Sequence, residues 1–422
     1  MEVRMTRTPL RLLALALAVL MTTSGCAISS VAASSPGTTV LTFWQYYDGT
    51  QLEWLEGEAQ RFEQDNPGVQ IELVQVVGSQ QDQKLLASVA TGSTPDLFTN
   101  NIVVDFPTLV SGGVMRDLTP YWESFADKDR FPDTATWEDE GRIFNLMSYT
   151  NLIGLYYNQD ILDEYGLAPP TTLDELQAAM ETVKAGGKYE GVALSGAADV
   201  EGAWLFAPQL LGLDVGYCNL AEQAGQVTAA FERIGRWRAA DTLPRAAATW
   251  DQNASWQQFM TGRYAFALNG NWQLGNVEEA GFRYGTARYP APTGGRSQVF
   301  PGGEGFAIGS KSQHPDLAWK FLQQLMSPES GEAVYAAAGS IPLHEQAAAA
   351  PALQDDAMVA PFAAATRDAA EWPNNPNTAA MQKALGTAVS SVISGEQTPE
   401  DGARAAIDDI GEAREQGGGG CA

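Results

Sequence analysis

At 422 residues, 18% of them charged and 45% hydrophobic, the chain is too long for one ordinary domain, long enough for two separate cores, and too apolar to be disordered. A formal net charge of -26, from 51 acidic residues against 25 basic ones, offers no basic stripe for phosphate neutralisation and argues against nucleic acid as a partner. Three cysteines and two histidines are too few for a disulfide framework or for histidine-based metal or Ser-His chemistry.

Arg4, Arg7 and Arg11 precede an apolar run over residues 12–21 that is too short for a stable membrane span, so residues 1–25 read as an export signal. Thr23-Ser24-Gly25-Cys26 is similar to a lipobox, with Thr23 in place of the usual leucine, and marks Cys26 for lipidation. Residues 26–39 are small and Ser-rich and read as a flexible tether.

The folded body begins with a strand at 40–44, leaving through the polar and aromatic loop Gln45-Tyr46-Tyr47-Asp48-Gly49. Leu52, Leu55, Ala59 and Phe62 recur at spacings of three and four, a helix stopped by Asn66-Pro67-Gly68. Alternation at Val69, Ile71 and Leu73 gives a second strand, a helix around Leu85, Leu86 and Val89 follows, and Asp96-Leu97-Phe98 starts a third strand that exits at Asn100 and Asn101. Strand and helix alternate as in an α/β lobe. Residues 152–157 form a buried strand ended by Asn158, and after the double proline at 169–170 Thr172 and Glu175 form a capping box.

Further on, Gly186-Gly187 end a helix, residues 191–194 make a strand, and Trp204 lies in a helical run over 201–212. Trp256, Phe259 and Met260 share a helix face, residues 264–268 form a strand, and it exits at Asn269-Gly270-Asn271-Trp272. Pro301 to Glu304 is a Gly-rich loop before the strand at 306–308, and Ser327-Pro328 caps a later helix. Trp372-Pro373-Asn374-Asn375-Pro376 precedes helices from Thr378 and Thr398, and a Gly-rich tail at 417–422 holds Cys421, which can bridge Cys218 but reads more readily as a second independent thiol.

No P-loop, no G-x-G-x-x-G after a strand, no G-x-S-x-G and no H-E-x-x-H occurs, and no motif singles out an acid and nucleophile among the carboxylates. The reading is a non-enzyme with no catalytic residues, no metal and no cofactor. His314 falls at a helix start and His344 after a helix, and both read as surface or capping groups.

The segments FEQDNPGVQIELVQV, LLASVATGSTPDLF, YYNQDILDEYGL, PPTTLDEL, SWQQFMTGRYAFALNGNWQLG and GGEGFAIGSKSQHPDLAWKFLQQL, in this order, resemble the extracellular solute-binding proteins of ATP-driven sugar importers, the maltose-binding-protein-like family. The resemblance covers residues 40–416 and implies an α/β, two-lobe periplasmic-binding-protein-like fold of type II, each lobe a mainly parallel sheet flanked by helices. It divides the chain into a first lobe of residues 40–149 and 290–341 and a second lobe of 150–289 and 342–416, with hinge crossovers at 148–150, 289–290 and 341–343. It also implies a sugar held between the lobes and handed to membrane permease subunits on closure, by a monomer anchored by lipid to the outer face of the cell membrane. Trp44, Tyr46, Trp204, Trp272 and Trp372 then supply platforms for the apolar sugar face, and Asp48, Asn100, Asn151, Asn271, Gly303 and Glu304 line the site or hydrogen-bond the hydroxyls. Asn151 departs from maltose-binding protein, which has a carboxylate there. The alternatives are the same fold binding a polyamine or ferric ion, or a secreted glycosidase.

Overall fold

Thr39–Gln45 (β1) alternates in burial, and the alternation builds two layers at once. Leu41 and Phe43 face the helix Gly49–Asp65, where Trp54, Leu55, Ala59 and Phe62 are buried, and the helix Pro315–Leu325, where Phe321 packs edge-on against Phe43. Trp44 points to the opposite face and packs with Leu85, Phe98 and Phe106. Each fully buried Leu or Phe in these layers contributes about 1.5–3 kcal/mol, which is what commits the alternating pattern to one register. The structure is a computed structural model that describes residues 37–373 and 375–421; the expected signal segment, Cys26 and residues 26–36 of the expected tether lie outside the described residues.

Six strands form the first sheet, with Val69–Gln75 (β2), Leu97–Asn101 (β3), Thr136–Asp139 (β4) and Arg142–Leu146 (β5) joining β1. A two-residue strand, Tyr149–Thr150 (β6), then leads to the second sheet, built from Ile153–Asn158 (β7), Glu190–Ala193 (β8), Tyr264–Gly270 (β9) and Tyr284–Arg288 (β10). Glu304–Ile308 (β11) returns to the first sheet, and Ile341–Pro342 (β12) pairs antiparallel with β6 on the way back. The orders are β2-β1-β3-β11-β5-β4 and β10-β7-β9-β8. All seven residues of β9 are buried, as a central strand covered by helices on both faces requires.

Both sheets are mixed, which corrects the mainly parallel sheets expected. In the first, only β1-β2 and β1-β3 run parallel, while β11 enters antiparallel between β3 and β5; in the second only β8-β9 is parallel. The reason is connectivity: β11 comes back from the other lobe rather than from a helix crossover, so it arrives from the opposite end.

Three crossings link the sheets, and the second falls later than residues 289–290. Tyr289, Val299 and Phe300 are buried in the second lobe's core, Tyr289 donating its hydroxyl to the Leu205 carbonyl at 2.9 Å. The chain leaves that core only at Pro301, where Asn151 and Gly302 exchange backbone hydrogen bonds of 2.9 and 2.8 Å. Adjacent crossings are thus stitched by β6-β12 and by Asn151-Gly302.

Local grammar follows the sequence closely. Asn158 caps the helix Gln159–Tyr165, accepting from the Asp160 and Ile161 amides, and the Thr172-Glu175 capping box is formed in full. Ser327 accepts from the Ser330 amide, and His344 caps its helix through Nδ1, which accepts from the Gln346 amide at 3.2 Å.

The cysteines differ from expectation. Cys218 and Cys421 form a disulfide, with Cα atoms 6.0 Å apart. The glycine tail is held in place to make it: Arg414 donates to the Cys218 carbonyl at 2.9 Å, and Asn375 Nδ2 donates to the Arg414 and Gly420 carbonyls. No hydrophobic pattern in the tail signals this, because polar contacts to backbone carbonyls do the holding.

Candidate functional site

β1, β3 and β11 bring their ligand-side ends together. β1 and β3 are parallel, so both carboxyl ends open on one edge, where open α/β sheets bind ligands. β11 is antiparallel to β3 with Glu304 opposite Asn101, so its first residue lies at the same edge.

Past β1, Gln45 sets the turn: its Oε1 accepts from the Tyr47 amide at 2.5 Å while its Nε2 donates to Gln75 at 2.8 Å. Tyr47, buried, then donates to the Tyr149 hydroxyl at 2.7 Å, and Tyr149 donates to Glu304 Oε2 at 2.7 Å. The direction is forced, since the one Tyr149 proton goes to the carboxylate and the other contact must be accepted. Burial raises the Glu304 carboxyl above the ordinary range, and the Tyr149 bond offsets part of that. Tyr47 and Tyr149 are held well above the usual phenol range by burial and by the Glu304 charge.

Past β3, Asn101 Oδ1 accepts from the Val103 and Val104 amides, and Asp105 Oδ2 accepts from the Asn101 amide at 2.9 Å, folding the exit into a tight loop. Asp82, on the helix Gly78–Thr91, lies near enough for its charge to act on Asp105. Burial and the Asp82 charge push Asp105 up to about 8, and burial raises Asp82. Tyr46 follows the end of β1. Its hydroxyl is buried without a partner, and burial together with Glu304, Asp105, Tyr47 and Asp82 raises it well above a free phenol. Asp82 Oδ1 is likewise buried and unpartnered.

The second lobe supplies the aromatics. Trp204, in the helix Val200–Phe206, stacks on Trp272 with centroids 5.5 Å apart and planes 15° from parallel. A Cβ on Gly302 would lie 2.4 Å from the Trp204 ring, and one on Gly270 would overlap Trp272, so glycine at both positions lets the indoles lie against the backbone. Trp372 donates its indole N–H to the Pro301 carbonyl at 2.6 Å and stacks on Phe300 at 3.8 Å. The tryptophans therefore gather on the 301–303 crossing, next to Glu304.

Of the residues expected to line a site, Glu304 lies at the first-lobe sheet edge and Tyr46 follows β1, while Trp204, Trp272 and Gly303 lie on or against the 302–303 crossing. Gly303 has φ +127° and turns the chain from the indoles toward the carboxylate. Asn151 and Asn271 are engaged elsewhere. Asn271 is fully buried; its Oδ1 accepts from the Leu152 amide at 2.6 Å and its Nδ2 donates to Asn151 Oδ1 at 3.1 Å and to the Gly339 carbonyl at 2.8 Å. Together they tie the crossings rather than offer free donors. Asn100 is fully buried and accepts from Asn145 at 2.5 Å over Gly305. Trp44 packs in the first lobe's core cluster, Trp372 is held in its stack with Phe300, and Asp48 is exposed at a helix start without a capping bond. Asp82, Asp105 and Tyr47 were not singled out from the sequence, whereas Tyr149 was placed at the first crossing. Asp105 carries a weak signal, as the first acid after the β3 exit; Asp82 has none, because only the fold brings it to Asp105.

Two α/β lobes tied by stitched crossings, with the strand ends of one and the stacked indoles of the other meeting on the crossing that runs into β11, make the architecture of a two-lobe binding protein. The family model for bacterial extracellular solute-binding proteins matches residues 59–361, and the chain belongs to that family, whose members are exported. A maltodextrin-binding protein of Bacillus subtilis is 24% identical over 405 residues, covering 92% of this chain and 93% of the relative. A maltotriose-binding protein of Pyrococcus abyssi is 24% identical over 386 residues, 85% of this chain and 78% of the relative. Among solved structures, maltose-bound MalE3 of T. maritima superposes with a TM-score of 0.81 at 20% identity, covering 88% of this chain and 99% of the other.

Proposed function

We propose that the chain is the carbohydrate-capturing subunit of an ATP-driven importer. It binds a mono- or oligosaccharide between the lobes without transforming it. The observation that carries this is the stacked Trp204-Trp272 pair lying against Gly302, two residues before Glu304: a flat apolar surface near a hydrogen-bond acceptor suits a pyranose, which has one apolar face and a rim of hydroxyls. The named relatives bind maltodextrin and maltotriose, which points to the same ligand class.

The crossings at 148–150, 301–303 and 341–343 act as the hinge, and ligand closes the lobes by contacting both walls. The closed form is what membrane permease subunits recognise, and lipidation at Cys26 keeps the monomer at the outer face of the membrane. A thermal-shift screen of mono- and oligosaccharides tests the assignment. A ligand at 100 times its Kd adds about 2.7 kcal/mol to the native state, and chromatography of the same mixtures should return the sugar intact. No shift with any saccharide, or cleavage products, refutes the assignment.

A further inference from the structure

Cys218 lies in a stretch without helix or strand between the helices Pro208–Leu211 and Ala224–Ala239, and its neighbour Tyr217 is buried. The Tyr217 ring lies near-parallel to Phe300 and to Trp372, at 18° and 17°, with centroids 5.9 and 6.4 Å away. Its hydroxyl is buried without a partner, so no polar contact fixes the ring. A small apolar cavity lined by Leu210, Val215, Tyr217, Phe300 and Leu385 lies beside it, so packing alone does not enclose the ring fully. Three residues after Trp372, Asn375 donates to the Gly420 carbonyl at 2.8 Å and to the Arg414 carbonyl at 3.2 Å, and Arg414 donates to the Cys218 carbonyl at 2.9 Å. The Cys218-Cys421 bridge thus closes a circuit of contacts that carries Tyr217 on one side and Trp372 on the other, with Phe300 against both. Phe300 is the last second-lobe core residue before the crossing: Pro301 accepts the Trp372 indole N–H, and Gly302 exchanges backbone hydrogen bonds with Asn151 at 2.8 and 2.9 Å.

We propose that the disulfide is a redox-controlled brace on the hinge: closed, it holds Tyr217 on Phe300 and steadies the 300–303 crossing; opened by a dithiol reductant, it frees the tail, loosens the crossing and weakens sugar binding. The effect on sugar binding rests on the carbohydrate and hinge readings above, and the loosening of the crossing does not. The step is thiol-disulfide exchange. One thiolate of the reductant attacks a bridge sulfur, the S–S bond breaks as a mixed disulfide forms, and the second reductant thiol then displaces the remaining cysteine. Two electrons and two protons pass from the dithiol to Cys218 and Cys421, which end as thiols while the reductant ends as a disulfide. Both cysteines are partly exposed, and Gly418 and Gly420 beside Cys421 are exposed, so a reductant reaches the bridge. Without it the tail is held by single hydrogen bonds to backbone carbonyls of a glycine-rich segment, which gains the most chain entropy on release. The stack, more than the indole N–H, is what the bridge maintains, so Trp372→Phe, which keeps a ring on Phe300, is the milder perturbation.

The test is hydrogen exchange by mass spectrometry on the full chain at neutral pH, oxidised and after dithiothreitol, with free thiols counted by alkylation. Peptides carrying the Asn151 and Gly302 amides should exchange at least about fivefold faster in the reduced protein, while those of β1, β2 and β3 stay unchanged. Cys421→Ser, which leaves Cys218 and Tyr217 in place, should match the reduced protein without reductant and stop responding to it. Calorimetric titration of a panel of glucose, cellobiose and maltotriose into both forms reads the consequence: the best binder should lose about fivefold in affinity on reduction, as the fraction of competent hinge falls. Equal exchange of the Asn151 and Gly302 amides in the two forms overturns the brace whatever the sugars do, as does acceleration spread equally over both lobes, which reports global unfolding. Faster exchange at the crossing with unchanged affinity overturns the link to binding. No binding of any saccharide to the oxidised protein refutes the carbohydrate reading, and the brace on the crossing is still decided by exchange alone.

Discussion

Asn271 was expected to meet ligand, and the structure gives it another task, so its substitution separates the two. Asn271→Ala removes three hydrogen bonds at a fully buried position, stranding the Leu152 amide, the Gly339 carbonyl and Asn151 Oδ1. Each buried group left unpaired costs about 1–3 kcal/mol, and water entering the small cavity offsets some of this, so the loss is about 4 kcal/mol. For a body of about 380 residues the unfolding entropy is on the order of 0.8 kcal/mol/K, which converts the loss to a midpoint about 5 °C lower. Differential scanning calorimetry of the oxidised protein reads this directly. A fall below about 1 °C accompanied by loss of saccharide binding refutes the reasoning, since Asn271 would then be a ligand donor and not a lock between crossings.

Three other outcomes follow from named contacts. Cys218→Ser opens a bridge between residues 203 apart in sequence, and loop entropy predicts a loss of about 5 kcal/mol; an unchanged denaturation midpoint would show the tail held by Arg414 and Asn375 alone. Asp105 has its folded pKa raised to about 8, so folding favours its protonated form, and its contribution is fully present at acid pH and is lost as pH rises from about 4 through 8. Burial lowers the His344 pKa, which slopes the other way near pH 6, so the comparison must be with Asp105→Asn. That variant should lose less stability than the parent between pH 5.5 and 8.5 in urea titrations, and equal slopes would contradict the pairing with Asp82. Trp372→Phe keeps a ring on Phe300 but leaves the Pro301 carbonyl without its donor, which should lower stability by about 1–2 kcal/mol and change saccharide affinity less than about threefold.

Much of the fold was legible because its signals are local. Period-two burial in β1, Asn158, the Thr172-Glu175 box and the Ser327-Pro328 start are each decided within a few residues. What the chain order could not show is where distant segments meet. The antiparallel entry of β11, the crossing delayed to Pro301 and the Cys218-Cys421 bridge each depend on contacts far apart in sequence. The site divides the same way. Tyr46, Trp272 and Glu304 lie at strand exits or entries that can be read directly, whereas Asp82 reaches the site only through its helix. Asn151 and Asn271 look like ligand donors in sequence because an amide that satisfies a buried backbone and one that meets a sugar are the same residue type.

In the proposed complex Trp272 presents an indole face to the bound sugar while first-lobe acceptors hold its polar rim. Calorimetric titration of the best saccharide from the panel into the parent and into Trp272→Ala tests it most directly. Losing roughly 80 Å² of apolar contact is worth about 2 kcal/mol, so Kd should rise about thirtyfold with the variant's circular dichroism unchanged. Equal affinities in a correctly folded variant would contradict the account and return Trp272 to the second lobe's core.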